Sequence, residues 1–355
     1  MTLTIERDAS DLHVNPGRPP VLRVNGTLEA QGLDVLDDAS AEKLCRELCS
    51  LRDAQDRVSQ TDGGHWAVFE RDGTIDFGLA HESGNRFRVS VMRQRGRTSA
   101  VLRLIPNRLL SFEEIGLPAA VAEILRRPRG LILVTGPTGS GKTTTLASMI
   151  DWINTNQDRH IVTIEDPVEY YHAHKQGLVT QREVGSDVPD FPEAMRRVLR
   201  QDPDVILLGE MRDLETISAA ITAAETGHLV FGTLHTTGSA RTVDRIIDAF
   251  PANQQEQIRA QLSVSIVGVV SQVLLPTATG AGRVAAFEVM LMNSAIANLI
   301  RKNETNKIQS TIQTSRRHGM ITLDDYLVEL TQAGKITREV AIDAAQDERD
   351  VEARV

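Results

Sequence analysis

The sequence predicts a two-part protein in which a small α+β domain precedes a larger α/β domain. After Gly130, continuous apolar runs of strand length alternate with helical segments, as in parallel sheets that are covered on both faces. Before that point, shorter runs separated by turn residues indicate a smaller domain. The chain has 355 residues, of which 41% are hydrophobic and 25% charged, which suits about two or three globular domains.

The N-terminal domain is predicted from turn residues and alternating patterns, and we place it at residues 1–104. Val21 to Leu28 is typical of a hairpin that turns at Asn25-Gly26. A helix is predicted from Ala41 to Arg52. Further strands are predicted at Trp66–Glu70, Thr74–Leu79, Arg86–Arg93 and Ser99–Leu104. Ile105-Pro106 marks a boundary, and residues 105–128 are predicted to form a linker.

The second domain is placed at residues 129–355. Its predicted strands are Leu131–Thr135, Ile161–Ile164, Val205–Leu208 and Leu229–Leu234. The region from about 252 to 345 is predicted to be helical, with helices at Ala252–Leu275, Ala295–Asn303, Thr305–His318 and Thr322–Gly334. The charged end, Gln346 to Val355, is predicted to be frayed.

Composition narrows the classes of function. The net charge of −9 and the pI near 5.5 argue against broad nucleic-acid binding, which needs a surplus of lysine and arginine. The two cysteines, Cys45 and Cys49, are predicted to lie on a buried helical stripe with Leu44, Leu48 and Leu51, and they suit a reducing compartment. The longest apolar run, Ser263 to Pro276, is too short and too polar to span a bilayer. We therefore expect any membrane role to depend on a protein partner.

A glycine-rich loop carries the clearest chemical signal. Residues 136–143 match the pattern G-x-x-x-x-G-K-[ST], between the strand at Leu131–Thr135 and a predicted helix, Lys142–Asn154. Such a loop turns its backbone N–H groups toward a phosphate, and the helix start adds a positive dipole end. The predicted nucleotide-binding residues are Gly136, Pro137, Thr138, Gly139, Ser140, Gly141, Lys142, Thr143 and Thr144. Lys142 can reach the terminal phosphates, and Thr143 can offer its hydroxyl to Mg²⁺.

Acidic residues follow two of the predicted strands. Glu210 ends the apolar run Val205–Leu208, where a carboxylate can hold Mg²⁺ or order the attacking water. Glu165, Asp166 and Glu169 follow the strand at Ile161–Ile164. Three carboxylates so close together repel one another unless a cation compensates. The predicted Mg²⁺ ligands are Thr143, Glu165, Asp166 and Glu210.

Two histidines bracket the strand Leu229–Leu234. An extended strand separates His228 from His235 by roughly 23 Å, so they cannot share a metal ion along it. We expect His235, at the carboxyl end of the strand, to be the histidine that faces the γ-phosphate.

These four stretches together resemble the secretion ATPase superfamily of type II secretion and type IV pilus motors, whose Walker A, Asp box, Walker B and His box they match in order. Further segments resemble the twitching-motility, pilus-retraction branch, among them Ser10-Asp-Leu-His-Val14, Arg86-Phe-Arg-Val89 and His318-Gly-Met-Ile-Thr322. Extension and secretion members usually carry a tetracysteine zinc element, whereas no cysteine follows Cys49 here.

The resemblance implies a PAS-like N-terminal domain, a RecA-like ATPase domain, and an ATP- and Mg²⁺-dependent hexameric motor. Glu169 matches the general base, Glu210 orders Mg²⁺ or water, and Glu165 and Asp166 support the site. The histidines would link the site to subunit movement. The best matches to the family's arginine fingers are Arg88 and Arg103.

The implied partners are further copies of the chain, an inner-membrane pilus platform protein and a paralogous pilus ATPase, with no nucleic acid. The implied location is cytoplasmic, at the inner face of that membrane.

One segment departs from the family: retraction motors typically have Arg and Glu where this chain has Ala297 and Lys302, which suggests an accessory retraction-type ATPase. Alternatives are a motor for pilus extension or type II secretion, a RecA-like nucleic-acid motor, and a subunit that binds ATP without hydrolysing it.

Overall fold

The computed structural model describes residues 1–24, 26–51, 63–105, 108–280 and 282–355. The predictions for Asn25, Arg52 and Pro106 lie outside these residues. The described chain forms two compact units: Met1–Arg108 with Glu169–Tyr171, and Leu109–Val168 with His172–Val355. We call them the N-terminal and the C-terminal unit.

The N-terminal unit is a six-stranded antiparallel sheet with helices on one face. Its helices are α1 (Thr2–Glu6), α2 (Asp38–Ser50) and α3 (Gly64–Asp72), and its strands are β1 (Asp11–Val14), β2 (Val21–Val24), β3 (Thr27–Ala30), β4 (Thr74–Ala80), β5 (Arg86–Gln94) and β6 (Arg97–Ile105). The strand order is β3-β2-β1-β6-β5-β4. Phe87, Val89 and Leu102 alternate inward along β5 and β6 and pack in one core with Cys45 and Phe69. Strands β2 to β6 confirm the predicted hairpin strands and the predicted strands after residue 73.

The strand predicted at Trp66–Glu70 is wrong, because these residues lie in α3. Five residues are too few to separate a helical from an alternating period. In the helix, Trp66 and Phe69 are three apart and are therefore buried on the same side. Gly63 and Gly73, both at positive φ, bound the helix.

The predicted buried cysteine pair is confirmed, although part of its stripe is not. Cys45 and Cys49 are fully buried on α2, and burial raises the pKa of Cys45 to about 12 and that of Cys49 to about 11. Leu48 packs against the same core. Leu44 and Leu51 are instead exposed, so the buried stripe is narrower than predicted.

The C-terminal unit is a seven-stranded sheet covered by helices. Its strands are β7 (Gly130–Thr135), β8 (His160–Glu165), β9 (Leu178–Glu183), β10 (Val205–Leu208), β11 (Leu229–Leu234), β12 (Ile266–Pro276) and β13 (Arg283–Leu291). The strand order is β13-β12-β7-β11-β10-β8-β9, and all neighbours are parallel except β12 and β13. Leu131 and Leu133 face one core cluster, whereas Ile132 and Val134 face another. Burial on both faces explains why the predicted strands read as continuous apolar runs.

Twelve α-helices surround this sheet in the part of the unit that the structure describes. They are α4 (Phe112–Ile115), α5 (Ala120–Ile124), α6 (Lys142–Asn156), α7 (Phe191–Val198), α8 (Leu214–Thr226), α9 (Ser239–Asp248), α10 (Gln255–Ser265), α11 (Ser294–Arg301), α12 (Ile308–Thr314), α13 (Leu323–Gln332), α14 (Arg338–Ala344) and α15 (Glu348–Arg354). Short 3-10 turns at Thr305–Lys307 and Arg316–His318 flank α12. None of the described helices is long and apolar enough to cross a membrane.

Two predictions about the C-terminal region are wrong. The helix predicted at Ala252–Leu275 ends at Ser265, and β12 follows, since this run is rich in β-branched residues and buried on both faces. β12 and β13 therefore add to the sheet a pair of strands that the prediction of a helical region lacked. The predicted frayed end instead forms α15, where Val351 is fully buried and Arg354 pairs with Asp325 and Asp350.

Candidate active site

The parallel strands bring four chain segments to one edge of the sheet. β7, β11, β10 and β8 run in the same direction, so their carboxyl ends lie side by side. The glycine-rich loop follows β7, His235 follows β11, Glu210 lies two residues beyond β10, and Glu165 ends β8. This is the edge at which open α/β sheets bind ligands.

Glycine is required at the first position of the loop. Gly136 has a φ of 145°, and a Cβ there would lie 2.2 Å from the backbone oxygen of Gln272 on β12. Gly141, at φ 86°, precedes the first residue of α6 and offers no side chain to cap the helix. The N–H groups of the first turn of α6 are therefore left for a ligand, which suits an anion.

Lys142 lies over this loop. Its Nζ donates to the backbone oxygens of Gly136 at 2.9 Å and Pro137 at 3.1 Å. Burial lowers the pKa of Lys142, and the charge of Glu210 opposes that shift. The ammonium group is therefore close enough to Glu210 to sense its charge, as a lysine that serves a phosphate site should be.

Glu210 is held by the side chains of Arg212 and His235. Its Oε1 lies 2.5 Å from Nε of Arg212 and 3.0 Å from Nε2 of His235. Burial acts to raise the pKa of Glu210, but Arg212 and His235 outweigh it and lower the pKa overall. His235 in turn lies 3.4 Å from the hydroxyl of Thr138 in the loop. His235 therefore contacts both Glu210, beyond the end of β10, and Thr138 of the glycine-rich loop.

The predicted carboxylate cluster is spread over different surroundings. Glu165 accepts a hydrogen bond from Thr163 at 2.6 Å, while Asp166 is exposed. The hydrogen bond to Glu210 raises the pKa of Arg212, and the charge of Asp166 adds to that shift. The Asp166–Pro167 peptide bond is cis. Glu169 is half-buried and belongs to the short segment that groups with the N-terminal unit.

The structure does not bring His228 to this edge. It precedes β11, and its Nδ1 lies 3.0 Å from the backbone oxygen of Ala223. The two histidines therefore lie at opposite ends of one strand, as predicted.

Arg88 and Arg103 lie on the exposed face of the N-terminal sheet. They are direct cross-strand neighbours on β5 and β6, and both side chains are exposed. Nε of Arg103 donates to Oδ1 of Asp11 at 2.9 Å, and Arg23 lies across from Asp11 on β2. A transverse row of three arginines and one aspartate crosses four strands of this face.

Comparison with known proteins agrees with this architecture. Residues 68–341 match the family of Type II/IV secretion system proteins. The chain belongs to this family.

Among its relatives, the type IV pilus retraction ATPase PilT of Pseudomonas aeruginosa is 45% identical over 346 residues, which cover 98% of this chain and 97% of that one. The type IV pilus ATPase PilU of the same organism is 37% identical over 351 residues, covering 99% and 89%. A crystal structure of the pilus retraction motor PilT with bound ADP superposes with a TM-score of 0.88 at 44% identity, covering 99% and 97%.

These comparisons confirm the predicted superfamily, its twitching-motility branch, the fold and the assignment as an ATP hydrolase. The higher identity is to the retraction ATPase rather than to PilU.

Sequence reasoning missed two residues of this family member's site. Arg212 has a local signal, because an arginine two residues past a carboxylate at a strand end is placed to pair with it. Gln272 is 1% exposed on β12, and its Nε2 donates to the backbone oxygen of Ser140 at 2.6 Å. Its signal was a lone amide inside an apolar run, since a buried polar group needs a partner.

The residues present suit Mg²⁺ bound with a nucleotide. Thr143 in the first turn of α6 offers a hydroxyl, and Glu210 offers a carboxylate whose lowered pKa keeps it ionised at neutral pH. Both are hard oxygen donors of the type that Mg²⁺ prefers.

Proposed function

We propose that the chain is a Mg²⁺-dependent ATPase motor that drives type IV pilus retraction. The observation that carries the proposal is the edge of the C-terminal sheet, where Lys142, Glu210 and His235 surround one phosphate loop. The family match and the identity to a retraction ATPase support the biological process.

In this proposal the C-terminal unit binds the nucleotide. The loop N–H groups and Lys142 would bind the phosphates, as in other P-loop enzymes. Mg²⁺, when bound, supplies charge neutralisation, and Thr143 and Glu210 would hold it. Arg212 and His235 fix the orientation of Glu210 through the contacts described above.

Hydrolysis would need further groups. Glu169 would accept the proton of the attacking water, with Glu165 and Asp166 supporting this segment. Arg88 and Arg103 would compensate the charge that develops on the γ-phosphate. His228 would act at the other end of β11, between the site and the neighbouring helix α8.

For the motor itself, we propose a hexamer at the cytoplasmic face of the inner membrane, where it acts on a pilus platform protein. A PAS-like domain at residues 1–104 would move against a RecA-like domain at residues 129–355 through the linker 105–128. A paralogous ATPase is a further proposed partner, since PilU exists beside PilT in one organism. No nucleic acid takes part.

The altered segment is compatible with this function. Ala297 is a buried residue of α11, where a small side chain packs without a polar group to satisfy. Lys302 directly follows α11, where the helix dipole favours a positive charge.

The test is Mg²⁺-dependent ATP hydrolysis against protein concentration, for the wild type and Glu169→Gln, with and without single-stranded DNA. We expect turnover per chain to rise with concentration as rings assemble, to fall by roughly 10²-fold or more in the variant, and to ignore DNA. Turnover that requires DNA, or a variant as active as the wild type, would contradict the proposal.

A further inference from the structure

A buried glutamine supports the phosphate loop from the side of the sheet. Gln272 lies on β12, and its Nε2 donates to the backbone oxygen of Ser140 at 2.6 Å. A Cβ added at Gly141 would lie 3.2 Å from the same Nε2, so the amide packs directly against residue 141. The side chain thus contacts the peptide that joins the last two residues before Lys142.

The hydrogen bond from Gln272 to the carbonyl of Ser140 also orients the N–H of Gly141. The oxygen of Ser140 and the N–H of Gly141 belong to one planar trans peptide and point in opposite directions. Because Gln272 draws the oxygen toward β12, the N–H of Gly141 points away from β12. In the part of the chain that the structure describes, this N–H has no acceptor.

A second observation indicates that Gln272 is not there for stability. Within the described residues, Oε1 of Gln272 and Oγ of Ser140 are buried without a hydrogen-bond partner. A buried acceptor without a partner costs free energy that an apolar side chain of the same length would not. The residues two positions before and after Gln272 on the same face of β12, Val270 and Leu274, are apolar.

We propose that Gln272 is a positioning residue of the phosphate loop, which keeps the N–H of Gly141 directed at the phosphate chain shared by ADP and ATP. It acts through the Ser140–Gly141 peptide and does not itself touch the nucleotide. This inference rests on the proposed function. Because both nucleotides carry that phosphate chain, both affinities depend on Gln272 to a similar degree.

The experiment uses the full chain with Gln272→Met, which keeps the length of the side chain and removes the donor. We expect the Kd values for ADP and ATP each to rise by about 10-fold, the effect of losing one hydrogen bond to a charged group. At saturating ATP, kcat stays within about twofold, since the loss is in uniform binding. Gln272→Glu, which also brings a negative charge under the loop, weakens both nucleotides further.

A matched control is Gln157→Met. Like Gln272, Gln157 donates from its side-chain Nε2 to a backbone oxygen, in this case that of Leu125 at 3.1 Å. Gln157 lies at the C-terminal end of α6, whereas the phosphate loop precedes the N-terminal end. We expect this variant to bind both nucleotides as the wild type does. Unfolding temperatures without nucleotide separate a binding defect from a folding defect.

Three outcomes decide the proposal. Weaker binding of both nucleotides in Gln272→Met, with the control unchanged, supports it. Unchanged Kd values for ADP and ATP in Gln272→Met overturn the proposal, whether or not kcat falls or the unfolding temperature drops. A wild-type chain that binds neither nucleotide overturns the proposed function itself, and this inference with it.

Discussion

The two units use a β-sheet in opposite ways. In the C-terminal unit, parallel strands end together, so that successive loops carry Lys142, His235 and Glu210 to one edge. In the N-terminal unit, antiparallel strands place charged side chains beside one another across a face, as Asp11 and Arg103 are.

This difference has chemical consequences. Loops at an edge can curl, so they can surround a phosphate with backbone donors and a lysine. A pleated face presents only side chains at fixed spacing, and Asp11 in the arginine row pairs with Arg103 at 2.9 Å and with Arg23 at 3.9 Å. Under the proposed function, the C-terminal unit would bind the nucleotide, and Arg88 and Arg103 would supply charge that is needed only during hydrolysis.

The largest effect is expected from the edge. Lys142→Ala removes the ammonium group over the loop and should abolish measurable ATP turnover and strongly weaken nucleotide binding. Lys175→Ala is the control, because Nζ of that lysine lies 2.6 Å from Oδ1 of Asp151 and does not contact the phosphate loop. Isothermal titration with ATP and a turnover assay check both variants. Normal ATP binding by the Lys142→Ala variant would contradict the assignment of nucleotide binding to this edge of the sheet.

A smaller effect should distinguish the two ends of β11. His235→Ala removes one contact to Glu210 and should lower kcat by roughly 10-fold. His228→Ala removes a bond to the backbone of Ala223 at the other end of the strand, so it should cost about 1 kcal/mol of stability and lower kcat by less than the His235 variant does. Steady-state kinetics and thermal unfolding of both variants give the answer. Equal losses of kcat would show that the carboxyl edge has no special role.

Much of this edge was predictable, because each signal was local. A few adjacent residues are enough to recognise the glycine pattern and the apolar run before Glu210. The same is true of the strand that separates the two histidines. The sequence pattern of β12, in contrast, predicts a helix, because an apolar run can be buried in either form. Gln272 depends on a partner that is distant in the sequence, and Arg212 is itself an exposed residue. The grouping of Glu169 with the N-terminal unit depends on tertiary packing.

A further effect, on stability and not on turnover, concerns the segment that follows Glu169. His172 is buried next to Asp151 and Lys175, and burial lowers its pKa to about 4. Because the unfolded chain binds this proton near pH 6.5, stability should fall as the pH drops from 6.5 toward 4, by about 2 kcal/mol at pH 5.

His172→Gln should remove that part of the pH dependence, whereas His318→Gln, at an exposed position, should keep it. Urea unfolding at pH 7 and pH 5 measures the difference. A His172 variant that keeps the full dependence would show that this histidine is not the group responsible.

The proposed roles of the two units are tested most directly by measuring ATP binding and ATP turnover separately in variants of the arginine row. The Arg88→Ala, Arg103→Ala double variant should lower kcat by about 10³-fold while the Kd for ATP changes by only a few-fold. Arg23→Ala, in the same row but without a predicted role, is the matched control and should leave kcat nearly unchanged. A double variant that turns over ATP as fast as the wild type would contradict the account.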